Sequence, residues 1–162
     1  PTRSAVVLPS GLSWPVAAAI FTVGILGVLF NYQADLQRQA FRETSGKCTI
    51  NGKPPVYIEA PYTARNAGTG KLEKHMSLLL ASGWWGAARH SAYLFELMAA
   101  YSWGLLAGVH THGVLPLFYP VYLTILLVHR AHRDEQKCLE KYGSAYKKYM
   151  ATVPHKIVPY VY

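Results

Sequence analysis

Residues with the types and spacing for chemistry gather in three places along this chain. The first is GWWGAARH at positions 83–90. Gly83 and Gly86 permit backbone angles and close approaches that a side chain forbids. Trp84 and Trp85 offer two broad rings, with Arg89 and His90 just beyond. Flat faces beside cations suit a planar, negatively charged ligand at a membrane edge, and an interfacial aromatic anchor is the competing reading. The second place is the pair Arg38 and Arg42, four apart and hence on one face of a helix. A guanidinium donates two parallel hydrogen bonds, a geometry that phosphate accepts, while beside a span the competitor is a lipid headgroup. The third is a set of carboxyls. Glu96 is the only charge in 91–109, where a carboxylate is costly in lipid and should face protein or a wet cavity. Asp134 shares a helical stripe with Arg130, Cys138 and Lys141, and an ion pair with Arg130 is its plainer role.

Other chemistries are poorly served. Cys48 and Cys138 form no CxxC pair and suggest neither a disulfide framework nor a zinc site. His110 and His112 are two apart and do not share a helix face, so no metal site is expected. GTGK at 68–71 resembles a phosphate loop but fails it: Arg65 stands where the first glycine is needed, and Leu72 replaces the Ser or Thr. Net charge is +8, yet the basic residues alternate with long apolar runs and show no recognition-helix pattern, so nucleic acid is not an expected partner.

The elements that must position these residues follow from composition. The 162 residues suit one domain, 51% are hydrophobic and only 15% charged, so burial in protein or lipid is plentiful. Positions 11–32 carry no charge and are long enough, at about 1.5 Å per residue, to cross a hydrocarbon core of roughly 30 Å. Gly24 and Gly27 within them permit close helix packing in lipid. QADLQRQAFRET follows as a helix-compatible polar run. Glycines and prolines then predict a loop or small hairpin up to His75. A second span is expected at 91–109, and a third at 114–129 with Pro116 and Pro120 kinking its start. In the final segment, Gly143 should end one helix and Pro154 stop the next; Tyr142, Tyr146 and Tyr149 recur at helical spacing. Seven Lys or Arg fall in 33–75 and seven more in 129–156, with none in the turn between the last two spans. Three crossings put both basic segments on one side, the cytosolic one by the positive-inside rule. The chain opens Pro1-Thr2-Arg3 and reads as a piece of something longer.

At GWWGAARH, HRAHRDEQKCLEKYG, VPHKIVPYVY and NYQADLQRQAFRETSGKC the sequence resembles the C-terminal part of the membrane sterol reductases. The loop TSGKCTINGKPPVYIEAPYTA looks like the Δ7 branch, which reduces the C7–C8 bond of Δ5,7 sterols, rather than the Δ14 branch. The resemblance implies an all-α membrane protein and a multi-pass location in the endoplasmic reticulum. This chain would be the last third of a fold of about ten helices. It would supply about three spans (11–32, 91–109, 114–129) with cytosolic segments 33–90 and 130–162. It further implies NADPH as cofactor, with a sterol substrate and membrane lipid as partners. Arg38 and Arg42 match the cations on the adenosine phosphate, and Leu80 and Trp85 match residues lining the cofactor. Ala92 and Tyr93 match a pair usually written Asn-Tyr. Asp134, Cys138, Leu139, Glu140, Lys141, Tyr142 and Tyr149 complete the implied site. Ala92 in place of an amide, and Glu96 where the family usually has Asp, are departures. The reaction such enzymes perform needs a proton and then a hydride, because no carbonyl is conjugated to the double bond. Glu96 and Asp134 are the carboxyls in this chain that suit a proton donor. Isoprenylcysteine-type membrane methyltransferases have a similar RHxxY arrangement, but their cofactor lacks the 2′-phosphate that paired arginines suit. A non-catalytic sterol-binding protein of the same fold is the other alternative.

Overall fold

A computed structural model describes residues 11–65, 68 and 71–161. Arg3 and the rest of 1–10, Tyr162, and positions 66, 67, 69 and 70 around the GTGK sequence lie outside the described residues. Helix α1, Trp14–Glu43, runs unbroken from the uncharged segment into the polar one. The composition changes near Tyr32, but no proline or glycine follows there to stop the helix. It ends where Ser45 and Gly46 take positive φ, and the Gly46 N–H bonds back to the Phe41 carbonyl at 2.9 Å.

The expected all-α class needs correction. Strands β1, Tyr57–Arg65, and β2, Leu72–Leu80, pair antiparallel in a register running from Tyr57↔Leu80 to Arg65↔Leu72. Pro61 sits inside β1, which a two-stranded ribbon tolerates because both strands are edges. An isolated hairpin is marginal in water. Here Ile58, Leu79 and Ala81 pack into a cluster with Tyr146, Tyr149 and Val153, so the ribbon has a helix to lie on. That non-local packing is what the sequence pattern did not declare.

The remaining elements are helical. α2 is the short Trp84–Ala87, α3 is Ser91–Leu106, and α4 is Val109–His112. A 3₁₀ turn at Leu115–Leu117 leads into α5, Phe118–Tyr142, and α6 is Ser144–Thr152. Gly143, at φ +52, separates α5 from α6, and Pro154 follows α6, both as expected. Two expected span boundaries move. The segment 91–109 stops being helical at Leu106 and turns at Gly108, φ +95. The segment 114–129 continues as α5 well into the charged residues. Pro116 and Pro120 start that helix instead of kinking it, because a missing N–H in the first turn forfeits no helical bond. Among the described residues, only α1 is both long and apolar enough to cross a membrane.

The chain divides into two compact units. One comprises the described part of Pro1–Tyr32 with Ala92–His129. Within it α1 and α3 touch at backbone distance: a Cβ on Gly27 would lie 2.9 Å from the Phe95 carbonyl oxygen and 3.0 Å from the Ala99 nitrogen. Ala100 of α3 packs with Leu123 and Leu127 of α5. Phe21, Val23, Val28, Leu29, Tyr122 and Ile125 are left exposed. The other unit, Gln33–Ser91 with Arg130–Tyr162, holds two apolar clusters and all the buried charge described below.

Candidate functional site

The tryptophan turn is built by close approach. Gly83 has φ +62, and a Cβ there would collide with Oε1 of Gln37 and with Ile50. Gln37 uses that same oxygen to accept the Trp84 N–H at 3.1 Å. A Cβ on Gly86 would sit 2.9 Å from the Ala81 carbonyl oxygen. Both glycines are therefore required, as the sequence suggested. Trp85 is buried against Phe41, Ile50 and Leu80, and its indole N–H donates to the Ala34 carbonyl at 2.9 Å. Over its ring lies the Arg38 guanidinium, 4.6 Å from the centroid. This is a cation–π contact in which the arginine is held at the helix surface.

Arg89 does not lie open beside a ligand, as its position next to the rings suggested. It is buried, donating to Glu135 through Nε at 2.8 Å and pairing with it through Nη2 at 2.7 Å. Its Nη1 donates to the carbonyls of Val153 (2.6 Å) and Pro154 (2.8 Å). Lys156 reaches the other Glu135 oxygen at 2.8 Å. Burial alone would push the Glu135 carboxyl up, but the hydrogen bonds from Lys156 and Arg89 outweigh it and hold it below the usual carboxylate range. The backbone N–H groups of Arg89 and His90 also bond to the carbonyls of His155 and Lys156. The cluster thus ties the tryptophan turn, α5 and the segment after α6 together. Burial lowers the pKa of His90, although Glu135 and Asp134 pull it upward.

The second group surrounds Cys138. Burial, and then the Asp134 charge, raise the Cys138 thiol, while Lys141, a hydrogen bond from Tyr146 and Arg38 act against them. Burial and the Asp134 charge thus favour the thiol over the thiolate at Cys138. Tyr149, buried, is pushed up to about 12, with Arg89 and Arg38 pulling it down. Arg38 of α1 thus acts on Cys138 of α5 and Tyr149 of α6. Lys141 lies 4.0 Å from the centroid of Tyr62, whose ring stacks on His75 at 5.5 Å and meets Tyr142 edge-on. Arg38, Trp85, Asp134, Cys138, Lys141, Tyr142 and Tyr149, far apart in sequence, all belong to this unit.

Other expected residues are placed differently. Arg42 is exposed in the last turn of α1, where a cation also suits the helix dipole. Leu80 is core, Leu139 packs beside Tyr146 and Tyr149, and Glu140 is exposed. Asp134 has an ion pair with Arg130 at 3.7 Å, the plainer of its two roles. Ala92, Tyr93 and Glu96 lie on α3 in the other unit, where Glu96 and Asn31 line a cavity of about 240 Å³. His112 lies on α4, and no group of three or more metal-binding side chains occurs among the described residues. Sequence reasoning missed Glu135, Gln37, Tyr62 and His75. The only hint was Glu135 itself: an acid beside Asp134 points to a different side of α5 and needs a partner of its own.

A match to the ergosterol biosynthesis ERG4/ERG24 family extends over residues 2–162. The chain belongs to this family. It is 42% identical over 154 residues to the 7-dehydrocholesterol reductase of Arabidopsis thaliana, covering 95% of this chain and 34% of that protein. The 7-dehydrocholesterol reductase of Danio rerio is 38% identical over 95% of this chain and 31% of its own length. The Delta(14)-sterol reductase TM7SF2 of Mus musculus is 40% identical over 95% of this chain and 33% of that protein. The chain thus spans about a third of the length of the curated ERG4/ERG24 relatives it matches. Identities of 42% and 40% to proteins named for different double bonds do not choose between them.

Proposed function

We propose that the full-length protein reduces a double bond in the ring system of a sterol, with NADPH as the reductant. The Δ7 bond of a Δ5,7 sterol is the first candidate. The observation that carries the reading is the Arg38 guanidinium lying over Trp85 in the unit that also holds Lys141, Cys138 and Tyr149. Such a surface offers positive charge for phosphate and flat rings for a nicotinamide or adenine. Arg38, with Arg42 one turn on, would hold the 2′-phosphate; Trp85 and Tyr149 would bound the rings. When bound, NADPH supplies the hydride. The chain's own part is to place the proton, and Asp134 is the carboxyl proposed for it. The loop at 44–64 favours the Δ7 bond by resemblance, and the 40% identity to a Δ14-named relative keeps Δ14 as the second reading.

The protein is proposed to be multi-pass in the endoplasmic reticulum membrane, with 11–32, 91–109 and 114–129 in lipid. Support comes from the exposed apolar side chains on α1, which a core helix of a soluble protein would bury. The flanking segments 33–90 and 130–162 are placed in the cytosol on their basic charge.

Cofactor choice tests the phosphate clamp. Arg42→Ala and Arg38→Ala in the full-length enzyme should each raise the KM for NADPH by roughly 10- to 100-fold, since a charged hydrogen bond contributes about 1.5–3 kcal/mol. Weak turnover with NADH should hardly change. Equal losses with both cofactors would leave the arginines as headgroup contacts. The double bond is settled by the sterols that accumulate in cells lacking the protein: Δ5,7 sterols for the first reading, Δ8,14 sterols for the second.

A further inference from the structure

The cavity in the unit of α1, α3 and the first half of α5 is mostly apolar. Phe95, Trp103, Tyr119 and Leu123 wall it, and Asn31 and Glu96 bring an amide and a carboxyl to it. The two polar side chains share an end because α1 and α3 run antiparallel. Gly24 meets Ser102, Gly27 meets Phe95 and Ala99, and the rings of Phe30 and Phe95 are 5.6 Å apart. Asn31 therefore falls level with Glu96, while Trp103 lies two turns away along α3, about 10 Å. An ionisable side chain among exposed apolar helices is costly unless a partner or ligand offsets it. A groove with an apolar body and one polar end fits a rigid apolar molecule that carries a single hydroxyl.

We infer that Asn31 and Glu96 anchor the hydroxyl group of the sterol, with its rings running toward Trp103. The inference rests on the reading of a sterol substrate proposed above and deepens it. Its consequence is a division of labour. A carboxyl bound to the hydroxyl stands on the first ring of the sterol, away from the double bond being reduced. Glu96 is then a specificity residue, and Asp134 is left as this chain's candidate for the proton. The cavity's volume, about 240 Å³, is below the 300–1,000 Å³ typical of a complete small-molecule site. It would take one end of the sterol, and the remaining length of a protein as long as the relatives would cover the rest.

The test uses full-length protein in detergent, two diene sterols that differ only in having or lacking the 3-hydroxyl, and a fluorescent hydroxysterol displaced by each. Wild type should bind the hydroxylated sterol about 10- to 100-fold more tightly than the deoxy one. Glu96→Leu and Asn31→Leu should erode that preference without weakening binding of the deoxy sterol. Glu96→Gln, which still hydrogen-bonds but carries no proton to donate, should keep kcat and raise KM only a few-fold. A collapse of kcat in Glu96→Gln with unchanged sterol binding would overturn the anchor and make Glu96 the donor. Equal affinity of wild type for the two sterols would also overturn it, and needs no variant that must fold. If neither sterol binds while the protein is folded, the substrate reading itself fails, a result distinct from either.

Discussion

All three guanidinium nitrogens of Arg89 are engaged inside the protein, on Glu135 and on the carbonyls of Val153 and Pro154. Removing it would leave Glu135 buried with Lys156 alone. Arg89→Leu is expected to cost about 3–5 kcal/mol, the usual result of breaking one side of a buried pair. Thermal unfolding of the full-length protein in detergent measures this, and an unchanged midpoint would show that the cluster adds no stability. The same cluster sets an acid limit. His90 is held neutral by burial, so the folded state loses stability as pH drops below the ordinary histidine value, about 6.5. Glu135 has a depressed pKa, so its contribution is present above the ordinary carboxylate range and is lost as pH falls through the depressed value. Melting midpoints should therefore decline in two stages on acidification. His90→Gln should remove the upper stage and Glu135→Gln the lower; a single unchanged decline in both variants would exclude these groups. Trp85 needs a different substitution, because it is both core and platform. Trp85→Ala opens a cavity costing about 3–5 kcal/mol, which would hide any effect on ligand. Trp85→Phe retains most of the volume and loses the bond to Ala34, so a raised KM for NADPH with little change in melting is the expected result.

At the level of elements, the contact between α1 and α3 depends on glycine. The atoms facing Gly27 are backbone, the Phe95 carbonyl oxygen and the Ala99 nitrogen, and they cannot rotate away as a side chain does. Gly27→Leu should force the helices apart and destabilise the protein by about 1–3 kcal/mol. Ala18→Leu, at an exposed position of the same helix, should not. Equal behaviour of the two variants in a melting experiment would show that this packing is not limiting. The hairpin depends on its neighbour in the same way. Ile58 and Leu79 gain a buried surface only because Tyr146 and Tyr149 come from the far end of the chain.

On the scale of the whole molecule, α1 carries an exposed apolar surface. Lipid, or the remaining two thirds of a protein as long as the relatives, would remove it from water. Expressed by itself, the 162-residue chain is expected to remain in membranes through an alkaline carbonate wash and to turn over no sterol. Release into the supernatant would count against α1 as a span.

The sequence by itself determined the family, the helix stops and the glycine turn. Those features are largely local: Gly143 and Pro154 act on their own backbone, and the positive φ at Gly83 favours glycine even apart from its contacts. It also marked 11–32 as membrane-compatible, because hydropathy over a run of residues does not depend on partners. Tertiary structure decided what pairs with what. Arg89 reads as an open cation until Glu135, 46 positions away, is brought beside it. Segment 57–80 reads as either a loop or a small hairpin until the tyrosines of α6 supply a surface for the hairpin, and Glu96 has no companion until antiparallel packing sets Asn31 level with it. Burial, and ion pairing between residues distant in sequence, are properties of two or more segments at once. No single stretch of chain carries them.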